Sequence, residues 1–217
     1  MSWVARLVIT GTQSKAISRY KLDMNELDTA VQSIQTHHPR TLQIIQYPNA
    51  MLTQVSMAVI PGVNISPTEM RELLDDMVAT MQANRAVGLA AIQIGVPLRM
   101  LVVQDQTQQP IRVMNPRIVE MSGSRFEQEG CLSFPGLFLR IARPAEVVVE
   151  YFDENLEVRR TGLGGLLGRA IQHEIDHLDG KTFLDRVSKV GRSNALTKIK
   201  AVQRKFKRFA TQLVGGQ

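Results

Sequence analysis

Two histidines lie four residues apart in the stretch QHEIDHLDG at residues 172–180, and a glutamate directly follows the first of them. On an α-helix, residues i and i+4 lie about 40° apart and one turn above each other, so His173 and His177 can reach the same metal ion. Glu174 lies close enough to contact a water on that ion without being a ligand. The pattern predicts a helix that carries two ligands of a hydrolytic metal site.

The residues around the two histidines favour a buried helix over a surface helix with solvated histidines. Apolar side chains recur on the side opposite His173 and His177, at Leu167, Ala170, Ile171, Ile175 and Leu178. Such a stripe packs against a hydrophobic core. We therefore expect the histidines to face an interior cleft, and we expect the glycine-rich stretch 162–168 to lead into their helix.

A catalytic metal site needs a third protein ligand. Peptidases with this motif supply it downstream, but Phe183 stands where one form has histidine, and neither Glu nor His follows Asp185. The upstream candidates are several carboxylates, the two histidines His37 and His38 in a segment of little regular patterning, and Cys131. We predict Cys131, at the edge of a strand-like stretch, although a lone cysteine is often just a small buried hydrophobic residue.

The composition favours a single globular domain. The chain has 217 residues, of which 44% are hydrophobic, which suits an ordinary aliphatic core. One cysteine excludes an internal disulfide framework and indicates a reducing compartment, so we expect a cytoplasmic protein. No apolar run approaches the roughly 20 residues that span a bilayer, so we expect no membrane association.

The clearest helix is predicted over residues 66–84. Ser66 as N-cap, Pro67 at the first helical position and Glu69 three residues after the cap form a capping box. Strands are predicted at Met100–Val103 and at residues 111–114, 147–152 and 156–159, with a hairpin turn at residues 153–155. Because strands precede a late helix, the pattern indicates an α+β fold with mainly antiparallel pairing.

The chain begins with a segment of little regular patterning. Residues 1–40 are interpreted as an N-terminal extension, with a possible helix near residues 24–36. Residues 1–22 carry four basic residues and no acidic one. An organellar presequence is therefore an alternative to a variable extension.

Three stretches together resemble the peptide deformylase family: VGLAAIQ at 87–93, EGCLS at 129–133 and QHEIDHL at 172–178. They stand in the family's order and at its separations, and the similarity covers residues 41–185, interpreted as the catalytic domain. Two positions depart from the family's first motif, since Ala86 replaces a glycine and Ile92 a proline. Neither change removes a reactive group. The resemblance implies antiparallel sheets wrapped around a central metal-binding helix.

The resemblance also implies the activity and its metal. Deformylases remove the formyl group from the N-terminal formylmethionine of nascent polypeptides and release formate. One ion per chain is expected on Cys131, His173 and His177, with Fe²⁺ as the native metal and Zn²⁺, Ni²⁺ or Co²⁺ as substitutes. Glu174 is expected to act first as general base and then as acid.

Further residues receive roles from the same resemblance. The Gln93 side-chain amide and the Leu132 backbone N–H are expected to stabilise the oxyanion. Gly88 and Leu89 are expected to offer backbone groups to an extended peptide. Ile92 and Phe134 are candidates for the pocket of the methionine side chain.

The C-terminal residues 186–217 carry nine basic residues and no acidic one. From Leu196 onward, apolar residues recur at spacings of three and four, which predicts an amphipathic helix with a cationic face. A docked terminal helix with a solvated face would explain this pattern without a partner. The absence of acids favours contact with ribosomal RNA, so we expect the tail to bind ribosomes.

Two other functions remain open at the level of sequence. A metallopeptidase would use the same helix motif, and a catalytically silent ribosome-associated protein could retain the fold. We favour a monomeric deformylase over both.

Overall fold

The computed structural model describes residues 37–104 and 109–214, with side chains up to residue 205 in the last helix. That part of the chain contains three α-helices: α1 Pro67–Ala83, α2 Gly165–Leu178 and α3 Lys189–Val214. It also contains seven strands: β1 Gly88–Ala90, β2 Met100–Val103, β3 Ile111–Ser122, β4 Arg125–Gly130, β5 Phe138–Arg143, β6 Glu146–Phe152 and β7 Val158–Gly164. The helix predicted near residues 24–36 lies outside the described residues.

The strands form two antiparallel sheets. Five of them lie in the order β1-β2-β3-β6-β7, and β4 pairs with β5 in a separate hairpin. Each neighbouring pair in the larger sheet is antiparallel. The predicted α+β class with antiparallel pairing is confirmed.

Some strand boundaries differ from those that the sequence predicted. β3 continues eight residues past the predicted end, because it pairs with β6 as far as Ser122. β7 begins at Val158, since Leu156 adopts a positive φ of 64° in the preceding turn. The β4–β5 hairpin was not predicted, because β4 exposes nearly all of its side chains and lacks an alternating apolar pattern.

α1 begins as the capping box predicts and covers one face of the large sheet. The Ser66 Oγ accepts from the Glu69 N–H at 3.2 Å, and the Glu69 carboxylate accepts from the Ser66 N–H at 3.0 Å. The helix buries a row of apolar side chains that pack with residues of β2: Met70, Leu74, Met77 and Met81. The other face of the sheet packs against α2.

α1 ends on an unusual residue. The Ala86 N–H donates to the Met81 carbonyl at 3.0 Å, and the Arg85 N–H donates to the Gln82 carbonyl at 2.9 Å. This paired arrangement requires a left-handed residue, which is usually glycine. Arg85 occupies that position with φ 52°, so the helix end carries a side chain at a conformational cost.

Replacing Arg85 by glycine is expected to stabilise the fold by about 0.5–1 kcal/mol, because the left-handed backbone then carries no Cβ. Urea unfolding at fixed metal concentration measures this change. Arg71→Gly, in the exposed interior of the same helix, is the matched control and is expected to destabilise by about 1 kcal/mol. A destabilised Arg85→Gly variant would contradict the prediction.

α2 lies at the centre of the structure and follows β7 without a linker. Every residue from Gly168 to Leu178 is buried. A Cβ at Gly168 would lie only 2.6 Å from the Leu163 carbonyl oxygen, so the helix can approach β7 closely only with glycine there. Burial on all sides confirms the expectation of a central helix and forces its polar side chains to find partners.

α3 docks its first half on the rest of the domain. Ala195 and Ile199 are buried in a cluster with aromatic and aliphatic residues of other elements, including Phe134, Phe183 and Leu184. The Gln203 side-chain amide donates to the Tyr47 carbonyl at 2.9 Å. Within the described residues, no helix is both long and apolar enough to cross a membrane.

Candidate active site and metal centre

Three potential metal ligands converge between α2 and the turn after β4. The Cys131 Sγ and the nearest ring nitrogens of His173 and His177 all lie within 4.8 Å of one another. The Cys131 Sγ and the His177 Nε2 lie 3.3 Å apart. The cluster does not include the alternative histidines at residues 37–38. The sequence prediction for the third ligand therefore agrees with the geometry.

The hydrogen bonding of His173 prepares it to bind a metal. Its Nδ1 lies 3.0 Å from the Glu129 carboxylate, while its buried Nε2 has no hydrogen-bond partner within the described structure. Burial alone would raise the pKa of Glu129, but hydrogen bonds from His173 and Arg143 lower it to about 2. An ionised Glu129 fixes the proton on Nδ1 and leaves the Nε2 lone pair for a metal. The donor set fits a catalytic late divalent ion.

A buried network of charges holds Glu129 in place. The Arg143 guanidinium donates to both Glu129 oxygens, at 2.6 and 3.0 Å, and to the Asp176 carboxylate at 2.8 Å. All three side chains are at most 5% exposed. Arg186 also donates to Asp176 at 2.9 Å. Asp176 is therefore an ion-pair member that supports His173 indirectly, through Arg143 and Glu129.

Glu174 lies beside the ligands and is itself buried. Burial is the largest cause that raises the pKa of its carboxyl group to about 7. Its Oε2 has no hydrogen-bond partner in the described part of the chain. A Cβ at Gly88 would lie 2.6 Å from the Glu174 Oε1, so only glycine lets β1 pass this close to the carboxylate. The group can exchange a proton near neutral pH.

Gln93 directs its amide nitrogen at the cluster. Its Oε1 accepts from the Ala90 N–H at 2.9 Å, and its Nε2 lies 3.2 Å from the Ser133 Oγ and 3.6 Å from the Cys131 Sγ. The first contact orients the amide so that its donor faces the ligands. Leu132, directly after Cys131, lines the cavity into which this cluster opens.

The cluster opens into a cavity of about 580 Å³. Its walls come from the end of α1, from β1, from the β4–β5 hairpin and from α2. Cys131, His173 and Glu174 all line it, so the reactive groups face a space that can hold several residues of a peptide. This arrangement fits hydrolysis of a peptide-like amide.

Comparison with known proteins agrees with this chemistry. The polypeptide deformylase family model matches residues 41–193. A peptide deformylase of Helicobacter pylori strain P12 is 39% identical over 174 residues, which cover 77% of this chain and 98% of that protein. One of Mesorhizobium japonicum is 40% identical over 179 residues, covering 80% and 96%. The chain belongs to the peptide deformylase family.

Solved deformylase structures share the fold. The enzyme from Legionella pneumophila superimposes with a TM-score of 0.70 at 34% identity, covering 77% of this chain and 98% of that one. The Ehrlichia chaffeensis enzyme in complex with actinonin gives 0.68 at 37% identity, covering 76% and 99%. Deformylases are metal-dependent hydrolases that remove N-terminal formyl groups, and this chain is a hydrolase of that family.

The deformylase cavity contains most of the residues that the sequence predicted for it. Seven of them line it: Gly88, Gln93, Cys131, Leu132, Phe134, His173 and Glu174. Three do not: His177 lies buried behind the cavity wall in the ligand cluster, and the Leu89 and Ile92 side chains are fully buried in two separate parts of the core. Leu89 points away from Gly88 in β1, and a 3-10 turn at Ala91–Ile94 directs Ile92 inward. The backbone of Leu89 remains a candidate for peptide contact.

Sequence reasoning missed one wall of the cavity. Leu166, Arg169 and Ala170 line it from α2. They stand seven, four and three residues before His173, so they lie on the helix face of that histidine. The prediction that Ala170 lies opposite the histidines was therefore wrong. Helical spacing could have identified them. Arg169 donates to Glu129 at 2.6 Å, so it also belongs to the buried charge network.

Proposed function

We propose that this chain binds one divalent metal ion through Cys131, His173 and His177 and hydrolyses the formyl amide of N-formylmethionyl polypeptides. Water adds to the formyl carbon, the C–N bond breaks, and formate and a free amino terminus are released. The observation that carries this proposal is the buried His173 Nε2, which has no hydrogen-bond partner in the described structure and lies within reach of two other ligand atoms.

The ligand types limit the choice of metal. A thiolate with two imidazoles accepts Fe²⁺, Zn²⁺, Ni²⁺ and Co²⁺, and it does not by itself choose among them. Fe²⁺ as the native ion rests on the family resemblance. Such an ion supplies a Lewis acid and lowers the pKa of water towards neutrality.

Glu174 moves the proton in the proposed reaction. With a carboxyl pKa of about 7, it can take a proton from the attacking water and later give it to the departing amine nitrogen. The close approach of Gly88 supports this role, since it brings the substrate-binding strand against the carboxylate. One side chain thus serves as base and then as acid.

Two donors are proposed for the oxyanion that forms at the formyl oxygen. The Gln93 Nε2 is held towards the ligands because its Oε1 accepts from Ala90. The Leu132 N–H has no backbone acceptor within the described residues. Removing one such donor typically costs on the order of 10² to 10³ in rate.

The substrate is proposed to lie along β1. This strand is at the edge of the five-stranded sheet, and Gly88 lines the cavity. An extended peptide can pair with an exposed edge strand and place alternate side chains in pockets. Phe134, Leu166 and Ala170 offer apolar surface for the methionine side chain.

Formate release tests the proposed function. Anaerobically purified protein is incubated with a formylmethionyl peptide and with the same peptide lacking the formyl group, while its metal content is measured. We expect about one metal ion per chain, formate from the first peptide alone, and loss of activity on chelation. Cleavage at internal peptide bonds without formate would indicate the metallopeptidase, and full metal without any hydrolysis the catalytically silent protein.

Ribosome contact is proposed for the outer face of α3. Six exposed cations lie on the described part of this helix, namely Lys189, Arg192, Lys198, Lys200, Arg204 and Lys205, and the last four follow Ala195. Buried Ala195 and Ile199 attach the opposite face to the domain. Because this outer face carries no acidic residue, it suits RNA phosphates. We also propose that the protein is a cytoplasmic monomer, since its proposed substrates are nascent chains.

Charge reversal of these four residues to glutamate is expected to abolish co-sedimentation with ribosomes, which in the parent should weaken steeply with salt. Reversal tests the cationic face better than deletion of residues 186–217, because Arg186 and Ile199 hold the domain together. Replacing the three lysines by arginine conserves the charge and serves as the control. Ribosome binding that survives the reversal would contradict the proposed contact.

A further inference from the structure

Among the described residues that line the active-site cavity, Arg85 alone carries an exposed charge. The other side chains of Asp, Glu, His, Lys or Arg type that line the cavity are all buried: Glu129, Arg169, His173 and Glu174. Arg85 is exposed and makes no ion pair within the part of the chain that the structure describes. The other exposed polar residues in the described cavity lining are uncharged, and they are Gln46, Asn84 and Gln128.

The backbone fixes where this charge lies. Arg85 is locked at the end of α1 by its own hydrogen bond to Gln82 and by that of Ala86 to Met81. Three residues later, Gly88 packs against the Glu174 carboxylate. Since three residues of chain span at most about 10 Å, the Arg85 backbone lies no farther than that from Gly88, the residue that contacts Glu174.

The lining of the cavity also indicates the direction in which a bound peptide continues. Residues 84–88 line the cavity, whereas residues 89–92 do not, because they enter the core. A peptide whose formyl group lies between Glu174 and the metal ligands therefore extends from Gly88 towards Arg85. At about 3.3 Å per residue, its third and fourth residues lie roughly 7–10 Å beyond the methionine.

We infer that Arg85 makes this enzyme prefer formylated peptides with an acidic side chain at the third or fourth residue. The inference rests on the proposed function, because it uses the substrate position given there. A glutamate at the third or fourth residue of the peptide can form an ion pair with the Arg85 guanidinium. A lysine there is repelled, because the described lining offers no exposed carboxylate to pair with it. Exposed charge pairs are weak, so each change of charge is expected to alter kcat/KM about two- to fivefold.

The test compares kcat/KM for formyl-Met-Ala-Xaa-Ser, and for the peptide with Xaa moved to the fourth residue, where Xaa is Glu, Gln or Lys. In at least one series, the parent should follow the order Glu, Gln, Lys, with a range of roughly four- to twenty-fivefold that shrinks at high salt. Arg85→Gln should remove this order. Arg85→Glu should reverse it.

Arg71→Glu provides the matched control, because Arg71 is exposed on the same helix but does not line the cavity. This variant should keep the parent's order of peptides. Equal rates for all peptides in the parent, or an unchanged order in Arg85→Glu, would overturn the inference and leave the proposed function intact. No formate from any of the peptides would overturn the proposed function itself.

Discussion

Replacing Glu174 by glutamine is expected to lower kcat/KM for formate release by about 10²- to 10⁴-fold, the usual contribution of a positioned acid–base group. Glutamine has the size of glutamate and preserves the packing against Gly88, but it can neither accept the proton of water nor return it to the amine. Because Glu174 is not among the three clustered ligands, the variant should keep its full metal content.

Steady-state kinetics with a formylmethionyl peptide and metal analysis on the same preparation measure this result. Glu157→Gln is the matched control, since Glu157 is 63% exposed in the β6–β7 hairpin, and its rate should equal that of the parent. A fully metal-loaded Glu174→Gln protein within twofold of the parent would exclude the proposed acid–base role. Loss of metal in this variant would show that Glu174 supports activity by holding the metal ligands in place.

Removing Arg143 is expected to have the largest effect on stability. Arg143→Ala leaves the Glu129 and Asp176 carboxylates buried without the guanidinium that pairs with both. Removing one partner from a buried charge network typically lowers the free energy of unfolding by about 3–5 kcal/mol. The rest of the network cannot compensate fully, because Arg169 and Arg186 each reach only one of these two carboxylates.

Urea unfolding at fixed metal concentration tests this prediction. Arg117→Ala is the control, because Arg117 pairs with Glu150 at 2.8 Å while its side chain is 74% exposed, and its loss should cost less than about 1 kcal/mol. Arg143→Lys keeps the charge but not the bidentate hydrogen bonding, so its stability should fall between those of the parent and Arg143→Ala. Similar losses for Arg143→Ala and Arg117→Ala would show that burial does not strengthen the network.

The metal site was accessible to sequence analysis because its parts obey local geometry. Two ligands and a carboxylate within five residues must share one region of a helix, whatever the rest of the chain does. Cys131 was selected among upstream candidates that also included carboxylates and two histidines, since the downstream positions offer no ligand. The start of α1 was equally predictable, because a capping box needs only four adjacent residues.

The family resemblance assigned the Leu89 backbone to peptide contact and the Ile92 side chain to the methionine pocket, but the Ile92 side chain does not line the cavity. Both belong to a stretch that contributes to the site, yet their side chains turn into the core. A strand alternates its faces and a 3-10 turn redirects the chain, so membership of a motif does not fix where a side chain points.

By itself, the sequence determined the class of fold and the helix that carries two of the proposed ligands, because both depend on residue types at short spacings. Cys131, 42 residues before His173, was predicted as the third ligand without such a spacing. Only the tertiary structure decided what surrounds them. Glu129 meets His173 across 44 residues, and Arg143 meets Asp176 across 33. Such pairs form because buried charges need partners, and the packing of the sheets against α2 determines which residues are close enough to pair. A local sequence pattern contains no information about these distant partners.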